Sequence, residues 1–405
     1  EVRRMRIISF LYPMSAIKIP LMRSTFFQEK ETKEALIDFI RSADRLSMHN
    51  ECRRFEELFS AFQERKNSLF VANGSAANLA LLQALINLGR LKRGDRVGIS
   101  AVTWATNVMP ILQLGLTPVA VDCSTKDLNA HSEHLQEVLP TLRAFFVTNV
   151  LGFAGDLDEI ASVCEKAGVI LLEDNCESLG TRYQGKLLGN FGLASTFSFF
   201  VGHHLSTIEG GMICTDDDEL HEMCTMVRAH GWDRSLPPER QQELREQAGV
   251  DDFLGKYTFY HPGFNVRPTE INGFLGCVQL PLLQETIRAR ERHFRVLHAT
   301  TLQRADLYEP LDVDHLEMIS NFAMPLICKT VSIRSALVER CIKEGIEHRP
   351  VIAGNITLHP FWKSSLPLQD LPGATAIHER GCYLPNHPDL TDAEVQLLSH
   401  VILDV

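Results

Sequence analysis

The sequence predicts an α/β protein built on a mostly parallel, seven-stranded sheet covered by helices. Three observations predict it. Seven short, β-rich apolar runs fall between residues 68 and 215. Segments with apolar residues at helical spacing separate them. The runs are also apolar almost throughout, which marks strands buried on both faces.

Ser68–Ala72 is the first run, and the turn Asn73-Gly74-Ser75 leads into a helix over Ala76–Asn87. Arg96–Ala101, Thr117–Asp122 and Ala144–Val150 follow. Ile160, Val163, Cys164 and Ala167 then repeat at helical spacing within Leu157–Ala167. Val169–Glu173, Thr196–Phe200 and Met212–Thr215 complete the set. Pro237–Asp252 is polar, opens on two prolines and reads as an exposed loop or helix. Beyond Pro281 the pattern changes to a long Arg-rich helix, Leu282 to about Arg304, and then to a sparser α+β region. With 405 residues the chain suits two domains rather than one core. The expected division is an N-terminal segment 1–35, a large domain 36–280 and a smaller C-terminal α+β domain 281–405.

Composition narrows the function. Forty Lys plus Arg against 51 Asp plus Glu give a net charge of −11, which argues against nucleic acid or an anionic membrane as main partner. The longest apolar stretches, such as Phe145–Gly152, fall short of the roughly 20 residues of a membrane span. Met5–Met14 is apolar behind Arg3, Arg4 and Arg6 but lacks a small-residue cleavage site, so it is not read as a signal peptide. No two of the ten cysteines lie closer than ten residues apart, so neither a C-x-x-C nor a C-x-C element of a metal or iron–sulfur site exists. They read as small buried thiols in a reducing compartment, and the expectation is a cytoplasmic protein.

Four segments carry candidate chemistry. Asn73-Gly74-Ser75-Ala76-Ala77 joins a strand to a helix, where free N–H groups and the Ser75 hydroxyl form a phosphate cradle. Taken alone it reads first as a glycine turn with Ser75 as helix cap, because such turns are common. Glu173-Asp174-Asn175-Cys176-Glu177 lies at the carboxyl end of a strand, where α/β sheets bind ligands. Alternatively, its Asp caps the next helix. Trp104, in Thr103-Trp104-Ala105-Thr106, follows another strand end and reads as core, interface or cofactor platform. Finally, Phe197-Ser198-Phe199-Phe200-Val201-Gly202-His203-His204 puts a serine and two histidines between apolar strands. A metal site there would need further ligands.

Taken in this order, the four segments resemble the DegT/DnrJ/StrS family of sugar aminotransferases, vitamin-B6 enzymes of fold type I. Gly263-Phe264-Asn265-Val266-Arg267-Pro268-Thr269-Glu270-Ile271 and His348-Arg349-Pro350-Val351 extend the resemblance from about Ile19 to the C-terminus. It implies pyridoxal 5'-phosphate (PLP), or its amine form (PMP), as cofactor. Gly74, Ser75 and Ala76 would hold the phosphate, together with Ser198 and with Asn265 of the partner subunit. Trp104 would stack on the pyridine ring, Asp174 would pair with the ring nitrogen, and Glu177 would reach the ring hydroxyl. A homodimer with active sites at the subunit interface is therefore expected.

One departure redirects the reading. Family aminotransferases carry a lysine within Phe-Ser-Phe-x-x-x-Lys that holds the cofactor covalently, and this chain has His203 there. A histidine cannot form that bond. The same substitution marks the sugar 3-dehydratases of the family. The resemblance thus implies a lyase that removes the 3-hydroxyl of a nucleotide-linked 4-keto-sugar, of the GDP-4-keto-6-deoxymannose type, in deoxysugar (O-antigen) biosynthesis. His203 would be the base, L-glutamate would restore PMP and ammonia would leave. Arg267 and Arg349 are candidates for the glutamate carboxylates, or else structural ion-pair partners. A second dehydratase type uses an iron–sulfur cluster with a C-x-C element, which this chain lacks. Three other readings stand beside this one. They are an aminotransferase using Lys186 or Lys256, a non-catalytic family member, and an NAD enzyme, for which the Gly-x-Gly-x-x-Gly turn is missing.

Overall fold

The computed structural model describes residues 17–405, and Met5–Met14 lies outside them. Seven strands form the central sheet: β1 (Asn67–Val71), β2 (Arg96–Ser100), β3 (Thr117–Val121), β4 (Ala144–Thr148), β5 (Ile170–Asp174), β6 (Ala194–Ser198) and β7 (Gly211–Thr215). Their spatial order is β1-β7-β6-β5-β4-β2-β3. All neighbours from β6 through β3 pair in parallel, and β7 alone runs antiparallel, to both β1 and β6. The expected mostly parallel seven-stranded sheet is present, as in fold type I.

The register of β7 positions the site. Gly211 pairs with Val71, the last residue of β1, and with Ser198, the last residue of β6. Two carboxyl ends therefore meet across the start of one strand. A side chain at Gly211 would be impossible there, since a Cβ would lie 2.4 Å from the Asn73 carbonyl. Asp174 ends β5 directly beside them, in register with Thr196.

The helix Gly74–Asn87 is buried almost all round, because it packs between the sheet and the helix Asp218–Val227. Its cap is Asn73 rather than Ser75: the Asn73 side chain accepts the Ala76 N–H at 2.8 Å, which leaves the Ser75 hydroxyl free. Leu157–Ala167 has the expected bounds and stops at Gly168, whose φ of 67° is the left-handed conformation that ends helices. The polar segment after Pro237 is a helix, Pro238–Ala248. The long Arg-rich helix spans Leu283–Leu302. A two-stranded antiparallel sheet, Ala323–Ile327 with Gly381–Pro385, lies in the C-terminal region.

Beneath β1 and β6 a phenylalanine cluster fixes the strand ends. The helix Asn50–Gln63 buries Cys52, Phe55, Phe59 and Gln63 on one face. Phe55 meets Phe70 and Phe199 edge-on at 5.0 and 5.1 Å, and Phe59 meets Phe197 and Phe199 at 5.2 and 5.3 Å. Such pairs add about 0.5–1.5 kcal/mol each beyond area burial, enough to hold Ser198 rigidly at the end of β6.

Candidate active site

Gly74 opens its helix against Ser198. A Cβ at Gly74 would lie 2.7 Å from the Ser198 Cβ and 3.2 Å from its hydroxyl. The absent side chain leaves a recess lined by the helix N-terminus, the exposed Ser75 and the Ser198 hydroxyl. N–H dipoles and hydroxyls converging at a helix start suit a phosphate.

The acidic segment divides its labour. Glu173 is fully buried and accepts backbone N–H bonds from Gly189, Phe191 and Gly192 at 2.7–2.8 Å, so it holds a loop. Asp174, only 3% exposed, faces the other way. Its Oδ2 accepts from the Asn78 amide at 2.9 Å and its Oδ1 from the Cys176 N–H at 2.9 Å. Asn78 in turn accepts the Thr196 hydroxyl at 2.6 Å. Sequence reasoning missed Asn78, although an amide within the apolar run Ala76–Leu82 was a legible signal. Glu177 accepts the Leu151 N–H at 2.9 Å. Burial nevertheless pushes its carboxyl up to about 8, with Asp174 adding to the rise.

His203 sits half-buried on the loop after β6. Its ring lies edge-on to Phe200 at 5.9 Å and tilted over Phe322 at 5.4 Å. Burial pushes the imidazole down to about 4, against hydrogen bonding and the pull of Asp174. Its Nδ1 has no partner among the described residues. His204 is separate: its Nε2 meets the Ser320 carbonyl at 2.9 Å in the core, a structural contact. The pair thus splits into one histidine that feels the charge of Asp174 and one anchor.

The remaining candidates lie outside this cluster. Trp104 is 54% exposed at the start of a short 3-10 turn after β2. Asn265 and Arg267 are both exposed, and the Arg267 Nε donates to the Asn265 side-chain oxygen at 3.0 Å. Their strand-like segment runs beside β1, with the Ala72 N–H bonded to the Val266 carbonyl at 2.8 Å. Arg349 is ion-paired to Glu347 at 2.5 Å. Its backbone pairs with Tyr383, whose ring lies 6.4 Å from Phe322. Lys186 and Lys256 lie on the exposed surface, over the rings of Phe191 and Phe253.

These residues fit a pyridoxal cofactor: a recess that any Cβ would fill, a buried carboxylate held by an amide, and two hydroxyls at a helix start. Residues 27–402 match the model of the DegT/DnrJ/EryC1/StrS aminotransferase family. The chain belongs to this family. It is similar to the GDP-4-keto-6-deoxy-D-mannose 3-dehydratase of Yersinia pseudotuberculosis, with 34% identity over 95% of this chain and 98% of that protein. The Escherichia coli GDP-4-keto-6-deoxy-D-mannose-3-dehydratase with bound hydrated PLP superposes with a TM-score of 0.87. It is 32% identical, covering 95% of this chain and 99% of that one. A GDP-4-keto-6-deoxymannose-3-dehydratase with a trapped PLP-glutamate geminal diamine gives a TM-score of 0.86 at 31% identity, over 95% and 100% of the two chains. The cofactor of the family is the one the sequence reading expected, pyridoxal phosphate.

Proposed function

We propose that the chain is a PLP/PMP-dependent nucleotide-sugar 3-dehydratase that removes the 3-hydroxyl of a 4-keto-sugar of the GDP-4-keto-6-deoxymannose type. The observation that carries this reading is His203. A half-buried imidazole near Ser198 and within electrostatic reach of Asp174 stands where family aminotransferases have their lysine, and Lys186 and Lys256 are both on the surface.

When bound, the cofactor supplies an electron sink that lets a C–O bond next to a carbonyl-derived centre break. The protein's residues do the rest. Ser75, Ser198 and the N–H groups at Gly74 and Ala76 hold the phosphate, with Asn265 of the partner subunit closing the site. Asp174, oriented by Asn78, holds a proton at the pyridine nitrogen. Trp104 would cover a face of the cofactor ring. Glu177, still protonated at neutral pH, donates to the ring hydroxyl. His203, kept neutral by burial, takes up a proton at an imidazole nitrogen and returns it to the departing 3-hydroxyl oxygen, which leaves as water. The sugar gains two electrons overall. L-glutamate supplies them, so each deoxygenated sugar is matched by one 2-oxoglutarate and one ammonia. Arg267 and Arg349 are the carboxylate-binding candidates, and Arg349 must exchange Glu347 for its ligand.

In this reading residues 36–280 are the cofactor-binding domain and 281–405 the smaller one. The protein acts in the cytoplasm as a homodimer. No helix among the described residues is long and apolar enough to cross a membrane. The experiment is incubation with PLP, L-glutamate and a panel of nucleotide-linked 4-keto-sugars, following the sugar by mass. Loss of one oxygen from a single member of the panel supports the reading, and an unchanged panel overturns it.

A further inference from the structure

Arg290 is the most unusual charge in the molecule. It lies within the helix Leu283–Leu302, is 5% exposed, and forms no ion pair with any described carboxylate. Burial pushes its guanidinium down to about 10, which leaves it charged at neutral pH. A buried cation without a carboxylate is costly unless other groups solvate it. One does: the Arg290 Nη2–H donates to the backbone carbonyl of His203 at 2.9 Å. Its Nε and Nη1 have no partner among the described residues, and Arg290 lines a small cavity with His203, His387 and Asp389.

We propose that Arg290 is the positioning residue for His203: its guanidinium holds the loop that carries the imidazole and opposes the charge of Asp174 so that the ring stays ready to accept a proton. This rests on the dehydratase reading above. Among the described residues, the charged and titratable groups facing His203 are few. Asp174 comes from the end of β5, His204 from its own loop and Arg290 from the helix. Phe322 and, behind it, Tyr383 come from the C-terminal sheet. Arg23, His387 and Asp389 lie across the cavity. Arg23 is neutralised by Glu394 at 2.5 Å. Burial lowers the imidazole most, Asp174 pulls it back up, and Arg290 is the cation set against that pull.

The test reads His203 itself. In the cofactor-free full-length protein with labelled histidine, its ring carbon signal, assigned by loss in His203→Asn, is titrated by NMR. Arg290→Gln keeps a donor for the carbonyl but removes the charge, and it should move the His203 midpoint upward. Arg290→Lys should restore the wild-type midpoint. An unmoved midpoint in Arg290→Gln, or an equal shift in Arg290→Lys, overturns the proposal. If Arg290→Gln does not fold, the wild-type protein decides. The Arg290 guanidinium signals should be protected from exchange and shift at the His203 midpoint, and signals that ignore that midpoint overturn the proposal. Because neither readout uses turnover, a His203 that titrates as expected in a protein without dehydratase activity would overturn the functional reading alone.

Discussion

The Asn78 side-chain amide donates to Oδ2 of Asp174 at 2.9 Å, entirely within the protein interior. One turn of a helix separates Asn78 from the phosphate recess at Gly74, so a single element sets both ends of the cofactor site. Asn78→Leu would leave the carboxylate and the Thr196 hydroxyl each short of a partner. An unpaired buried group costs about 1–3 kcal/mol, so PLP affinity should fall by about tenfold or more. Equilibrium dialysis measures this, with circular dichroism confirming that the variant is folded.

The recess itself is equally testable. Gly74→Ala adds a methyl 2.7 Å from the Ser198 Cβ. Overpacking of this kind costs about 1–3 kcal/mol. Here it should appear as about tenfold weaker binding of PLP and, in parallel, of inorganic phosphate. Binding equal to wild type would place the phosphate elsewhere.

His203→Lys should convert the resting protein to one that borohydride labels with a pyridoxyl group at residue 203, while dehydration ceases. The wild-type chain should stay unlabelled. Mass spectrometry of the digested protein reads both, and a labelled lysine in the wild type would remove His203 from its proposed role.

The raised Glu177 carboxyl predicts a pH dependence. A carboxyl lifted from 4.5 to about 8 binds its proton more tightly in the folded state. Its contribution is therefore full below about 4.5 and is lost as pH rises through about 8. His203 and His387, both pushed down to about 4 from 6.5, act in the opposite sense: their contribution is present above 6.5 and lost as pH falls toward 4. Between pH 6.5 and 8 the decline belongs to Glu177 together with His131, which its hydrogen bonds to Asp127 and Asp156 raise from 6.5 to about 10. Urea unfolding of the cofactor-free protein should show stability falling over that window with a slope of up to about two protons, and Glu177→Gln should lower that slope by up to about one, leaving the part that belongs to His131.

Much of this was legible in the chain. Apolar runs marked all seven strands, because strands buried on both faces leave few polar positions. The strand-end motifs marked Gly74, Asp174, Ser198 and His203. Three features were not. The antiparallel course of β7 depends on the path of the connection from Phe199 to Gly210, which composition does not orient. The difference between Glu173 and Asp174 is the two-residue alternation of a strand, which decides only once the faces are known. Arg290 sits among Arg288, Arg292 and Arg295, and its burial follows from tertiary packing rather than from any pattern of charge.

The most direct test of the central claim is the stoichiometry of a single reaction. Purified protein with PLP, L-glutamate and GDP-4-keto-6-deoxymannose should yield 3-deoxygenated 4-keto-sugar, 2-oxoglutarate and ammonia in equal amounts, and His203→Asn should yield no deoxygenated sugar. A 4-amino sugar that keeps its 3-hydroxyl, formed with 2-oxoglutarate and without ammonia, would contradict the account and make the chain an aminotransferase.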